Sequence, residues 1–103
     1  MEYTEQQLKD MTRLFKFHNV DKNFRFIMLK TIEELNSLSK VLAKLLLGEY
    51  EPHDIELLDE MFDADFMIFQ IKRILVPDEY MQTIYNNVVD AKLERELKRW
   101  GLT

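Results

Sequence analysis

Apolar side chains recur along this chain at the three- and four-residue spacing of an α-helix, and no stretch shows the strict alternation of a half-exposed strand. The clearest run is Ile27, Ile32, Leu35, Leu38, Leu42, Leu45 and Leu46. It predicts a helix from Lys22 to Leu47, about 39 Å long, with Gly48 placed as its stop. A first helix is predicted from Thr4 to Phe17, opened by a capping box of Thr4 and Gln7 and broken at His18-Asn19-Val20-Asp21. A third runs from Asp54 to Leu75. A fourth runs from Pro77 or Asp78 to Trp100, with the proline in its first turn and acidic residues opening both helices. Gly and Pro punctuate the chain at Gly48 to Pro52, at Pro77 and at Gly101, leaving long uninterrupted stretches between.

Four helices on short links predict an all-α fold, a compact four-helix bundle forming one domain over 1–103. At 103 residues, 47% hydrophobic, the chain can hold a core without a disulfide or structural metal. It has no Cys, which fits a reducing compartment and removes thiolate nucleophiles and Cys-ligated zinc. The start carries three acids and no apolar leader, and no apolar run approaches the roughly 20 residues of a membrane span. The expectation is a soluble, cytoplasmic protein without a membrane partner. The second helix is long for so short a chain, so part of its apolar stripe calls for a second copy to cover it, which predicts a homo-oligomer.

The formal charge is −5, which argues against a duplex-wrapping protein, because affinity for nucleic acid comes from phosphate neutralisation. Lys9, Arg13 and Lys16 share roughly one face of the first helix, followed by Lys22 and Arg25, and read as solvated surface; nucleic acid is not an expected partner. The middle of the chain, residues 31–79, holds twelve acids against four bases, while both flanks are slightly basic. A metal-dependent phosphate site needs that distribution, with carboxylates for the cation and Lys or Arg for the phosphates. Solvated acidic helix faces account for it equally simply.

Glu33 and Glu34 sit side by side on the second helix, and Glu56, Asp59, Glu60 and Asp63 share one face of the third. Asp63 lies in Met61-Phe62-Asp63-Ala64-Asp65-Phe66-Met67-Ile68-Phe69, a segment apolar enough for the core, where a carboxylate is costly unless paired or metal-bound. Several acids converging between two helices call for a cation. Mg²⁺ is the natural one, since it takes oxygen ligands and is completed by substrate phosphates, with Mn²⁺ as its alternative. The plain structural reading stays open, with Glu56, Asp59 and Glu60 facing water and Asp63 paired with Lys30 or Lys92. A di-iron bundle would need Glu-x-x-His pairs, and the chain has none. His18 and His53 fall near predicted helix ends without a triad arrangement. No glycine-rich phosphate loop is present.

The pattern resembles the MazG-like, all-α nucleoside triphosphate pyrophosphohydrolases, whose hallmark is Glu-Glu-x-x-Glu on one helix and Glu-x-x-Asp on the next. Thr31-Ile32-Glu33-Glu34-Leu35-Asn36-Ser37-Leu38 supplies the paired glutamates and has Ser37 where the third belongs. Asp59-Glu60-Met61-Phe62-Asp63 supplies Glu60 and Asp63, followed by the family-like Gln70-Ile71-Lys72, and 22 residues separate Ser37 from Glu60. Lys92-Leu93-Glu94-Arg95 resembles the Lys-x-x-Arg of the family's last helix. The resemblance spans 24–100.

This resemblance implies an Mg²⁺-dependent enzyme that hydrolyses (d)NTP to (d)NMP and pyrophosphate, working as a homodimer or a dimer of dimers. It implies Glu34, Glu60 and Asp63 as metal ligands, Glu33 and Glu34 in catalysis with Glu33 helping to bind metal or orienting the attacking water, and Lys92 and Arg95 at the substrate phosphates. Phe24, Phe26 or Tyr85 could stack on the base, and each is also a natural core residue. At Ser37 three readings follow: metal held through a water, lost charge supplied by Asp59 or Asp65, or a degenerate site. The last gives the competing function, a non-catalytic helical module that binds a nucleotide or a protein.

Overall fold

The computed structural model describes residues 2–21 and 23–103. It is all-helical, with four helices in order, α1 (Glu5–Asp21), α2 (Phe24–Leu46), α3 (Ile55–Leu75) and α4 (Glu79–Arg99), and no strand among the described residues. No helix among the described residues is long and apolar enough to cross a membrane. The chain forms two compact units, one ending at Ile71 and the other running Lys72–Thr103.

The capping box at the start of α1 forms as the sequence predicts. Thr4 Oγ1 accepts from the Gln7 amide at 3.0 Å, and Gln7 Oε1 accepts from the Thr4 amide at 2.8 Å, so two otherwise orphaned donors are satisfied reciprocally. The far end of α1 corrects the sequence reading, because the helix does not break at His18 but runs on to Asp21. Asn19 and Asp21 are only weak helix formers, and neither Gly nor Pro interrupts the run. The predicted start of the second helix at Lys22 lies outside the described residues. Asn23 makes the turn, with φ 103°, and its side-chain oxygen accepts from the Phe26 amide at 3.0 Å, capping α2.

Gly48 ends α2 as its spacing predicts. It takes a left-handed φ of 80°, its amide donates to Leu45 O at 3.1 Å, and the Glu49 amide donates to Lys44 O at 2.9 Å. Only a residue tolerant of positive φ closes a helix with that pair of bonds. Ahead of α3, the Asp54 carboxylate accepts from the Glu51 amide at 2.9 Å. In the second unit, Pro77 is not in the first turn of α4 but precedes the cap. Asp78 is the N-cap and accepts from the Met81 amide at 2.8 Å, a role that its short carboxylate fills better than a proline can.

In the first unit the core is Met11 from α1, Ile27 and Val41 from α2, and Leu57, Ala64 and Met67 from α3. Along α3, Phe62 and Phe66 stack at 5.7 Å, and Tyr3 meets Phe62 edge-on at 6.1 Å. The Tyr3 hydroxyl donates to the Asp65 carboxylate, tying the segment before α1 to α3. The predicted stripe of α2 is only partly buried. Ile27 is fully enclosed, whereas Ile32, Leu35, Leu42 and Leu46 are exposed. In the second unit, α4 buries none of its residues, and the Lys72 ammonium lies 6.0 Å from the Tyr85 ring centre.

Candidate functional site

The site begins with helical spacing. Glu60 and Asp63 stand three residues apart on α3, which puts both carboxylates on one face, and α2 brings Glu34 to meet them. One oxygen from each of Glu34, Glu60 and Asp63 lies within 4.8 Å of the others. All three side chains are half-buried. Glu60 Oε2 is closed off from solvent and has no hydrogen-bond partner, an arrangement that native structures rarely leave uncompensated. These are hard oxygen donors, converging and incompletely satisfied, and the set could hold a metal ion.

The electrostatics follow from burial. Desolvation first, then the charges of Asp63 and Glu34, with Asp59 and Glu56 behind them, hold the Glu60 carboxyl above its ordinary range. Asp63 is raised in the same way, by burial and then by Glu34 and Asp59, while Lys30 pulls against them. Both shifts mark negative charge held together without enough compensation.

Lys30 is the local counter-charge, but it does not pair with Asp63 as the plain structural reading expected. Its ammonium bonds Glu34 at 3.2 Å and Glu33 at 3.3 Å, and those contacts, Glu34 first, raise the Lys30 pKa. The two glutamates diverge in exposure. The Glu34 side chain is 13% exposed and that of Glu33 is 65% exposed, so Glu34 belongs to the cluster while Glu33 stands at its rim. Asp65 is engaged by Tyr3. Asp59 is exposed, yet its charge reaches both Glu60 and Asp63, so of the two residues considered for the charge missing at Ser37 it is the one with an electrostatic hold on the cluster. Ser37 itself is half-buried on α2. Lys92 and Arg95 are exposed on α4, in the second unit.

Beside the carboxylates opens a cavity of about 320 Å³. Phe26, Phe66 and Met67 form its apolar walls, and Lys30, Glu34, Asp63 and His18 its polar ones. Phe26, one of the three aromatics considered for stacking, is therefore at the site. Phe24 is exposed on α2, and Tyr85 lies in the second unit.

Sequence reasoning missed His18, Lys30 and Gln70 as a group. Because α1 continues past Phe17, His18 is a helical residue, packed near Phe26 and Phe66 at ring distances of 6.1 and 6.3 Å. Its Nδ1 is 3.0 Å from Oε1 of the fully buried Gln70. The signal was present in Gln70, a polar residue in an otherwise apolar stretch of α3. Comparison with protein-family models, with curated proteins and with solved structures gives no match.

Proposed function

We propose that this chain is an Mg²⁺-dependent nucleoside triphosphate pyrophosphohydrolase of the MazG-like kind, hydrolysing (d)NTP to (d)NMP and pyrophosphate. The observation that carries the reading is the convergence of Glu34, Glu60 and Asp63 within 4.8 Å, with the buried Glu60 Oε2 lacking any partner, beside a cavity with aromatic walls. The order and spacing of the Glu-Glu and Glu-x-x-Asp motifs support it independently.

In this reading Glu34, Glu60 and Asp63 hold the cation. A bound Mg²⁺ supplies charge neutralisation at phosphate oxygens and a water of lowered pKa. Lys30 fixes Glu34 from one side, so its carboxylate is oriented before any ligand arrives. Glu33, exposed and paired with Lys30, would help hold the cation or orient the attacking water. The phosphate role of Lys92 and Arg95 rests on the sequence pattern alone. The homodimer belongs to the same proposal and is supported by the exposed Ile32, Leu35, Leu42 and Leu46 of α2, apolar side chains that a second copy would cover.

Pyrophosphate release from a panel of ribo- and deoxynucleoside triphosphates, with Mg²⁺, with Mn²⁺ and with chelator, tests the reading. Metal-dependent release that disappears in Asp63→Ala, with helicity retained by circular dichroism, is the expected result. Ser37 favours one second reading, a non-catalytic module. No release from any triphosphate, together with no Mg²⁺-linked thermal stabilisation by triphosphates, would count against the enzyme and for that reading.

A further inference from the structure

Gln70 has no solvent exposure, so both ends of its amide need partners inside the protein. One end lies 3.3 Å from Met67 Sδ. The other lies 3.0 Å from His18 Nδ1. A thioether sulfur can only accept, so the amide NH₂ faces Met67 and the amide oxygen faces His18. The oxygen in turn can only accept, so His18 carries its proton on Nδ1. A neutral imidazole protonated at Nδ1 has a lone pair on Nε2. Gln70 therefore selects the tautomer of a histidine whose ring lines the cavity beside the carboxylates.

Among the other polar groups of that cavity, Lys30 only donates, and Glu34 and Asp63 are assigned to the cation. His18 is left, its ring centre 6.1 Å from that of Phe26 and 6.3 Å from that of Phe66, and a ring that carries only the Nδ1 proton offers Nε2 as an acceptor. Aromatic walls with one neutral acceptor suit a planar heterocycle that presents an N–H donor at its edge. We propose that His18, held as its Nδ1–H tautomer by Gln70, is the specificity-determining residue of the site, accepting from an exocyclic amino group on the base of the triphosphate. This inference rests on the pyrophosphohydrolase reading. It predicts a preference for amino bases, adenine and cytosine, over hypoxanthine and uracil, which in the same pose replace the amino donor with a carbonyl acceptor. Gln70 is the positioning residue and does not touch the base.

The test has two readouts on the full chain. The first is the ¹⁵N chemical shifts of the imidazoles without ligand, where His53 is the one other histidine. His18 is expected as Nδ1–H in the wild type and as a mixture in Gln70→Leu. An Nε2–H ring or a doubly protonated ring in the wild type overturns the inference whatever the activity. The second is the kcat/KM ratio for ATP over ITP and for CTP over UTP. At least one ratio is expected to be about tenfold or more in the wild type, since a buried donor or acceptor left unpaired carries that scale of penalty. It should fall toward one in His18→Asn, whose amide nitrogen keeps the bond to Gln70 and removes the Nε2 acceptor. Turnover with an unchanged ratio in His18→Asn overturns this inference and leaves the function standing. No turnover of any triphosphate by the wild type overturns the function and this inference with it.

Discussion

Replacing Asp63 with Asn keeps the side chain's shape and removes one of three converging negative charges. In the metal-free protein that change should stabilise the fold. At 4.8 Å, the outer separation of the ligand oxygens, two unit charges repel by about 3.5 kcal/mol at an effective dielectric of 20 and by about 0.9 kcal/mol in bulk water. Asp63 is half-buried, and Lys30 offsets part of the repulsion from Glu34. The gain from Asp63→Asn is therefore set near the lower bound, at about 1 kcal/mol. For a chain of this size that raises Tm by about 4–8 °C in the presence of a chelator. Mg²⁺ reverses the order. At about 100 times its Kd the cation stabilises the wild type by about 2.7 kcal/mol, and the variant, short of one ligand, should gain little. Thermal unfolding of both proteins in chelator and across an Mg²⁺ titration therefore gives curves that cross. A variant less stable than wild type in chelator would mean that the Asp63 carboxylate is compensated in the free protein, and equal Mg²⁺ shifts in the two proteins would remove the metal assignment.

Three further predictions rest on separate contacts. Tyr3→Phe deletes a hydrogen bond to the Asp65 carboxylate and should lower stability by about 1.5–3 kcal/mol at pH 7, measured by urea denaturation. Burial, then the Asp65 bond and charge, push the Tyr3 pKa up from 10.0 to about 12. The bond's contribution is thus complete below pH 10 and is lost as pH rises through 12, so the wild type and Tyr3→Phe should converge over that window; a gap that stays constant to high pH would refute the assignment. Gly48→Ala forces an L-residue to a φ of 80°, and although nothing within 4 Å would touch the new Cβ, the backbone alone should cost about 1 kcal/mol in chemical denaturation; a gain in stability would contradict the left-handed stop. Ser37→Glu adds a carboxylate at the third position of the Glu-Glu-x-x-Glu pattern and should deepen any Mg²⁺-linked Tm shift while lowering Tm in chelator, and a variant unchanged in both would separate Ser37 from the site.

Much of the architecture was legible because it is local. Thr4 with Gln7 and Gly48 after a leucine-rich run each act through bonds within five residues, and sequence carries such information directly. The Glu60 and Asp63 pair was legible for the same reason, since helical spacing alone places them together. The overrun of α1 was not. His18 to Asp21 looks like a break by composition, but propensities of a few tenths of a kcal/mol per residue yield to packing, and His18 finds partners in Phe26, Phe66 and Gln70. The turn that does reverse the chain uses Asn23 at a positive φ, where glycine would have announced it. The role of Lys30 depended on a choice between Asp63 and the glutamates of its own helix, and the short reach along α2 decided it. His18 and Gln70 are 52 residues apart in sequence, a pairing that no spacing rule proposes.

The chain contains 2 Gly and 2 Pro, and all four lie outside the helices: Gly48 and Gly101 follow helix ends, and Pro52 and Pro77 sit in connections. Through α1, α2 and α3, which carry His18, Glu34, Glu60, Asp63 and Gln70, there is consequently no Gly or Pro to kink a helix. Adaptation within these helices falls to side-chain rotamers, chiefly the long arms of Lys30, Glu33 and Glu34. The site is in that sense preorganised: the helices of the first unit should superimpose within about 1 Å between the free and cation-loaded protein, and selectivity among ions and ligands should arise from how a fixed frame of oxygens and rings is filled rather than from closure around whatever arrives.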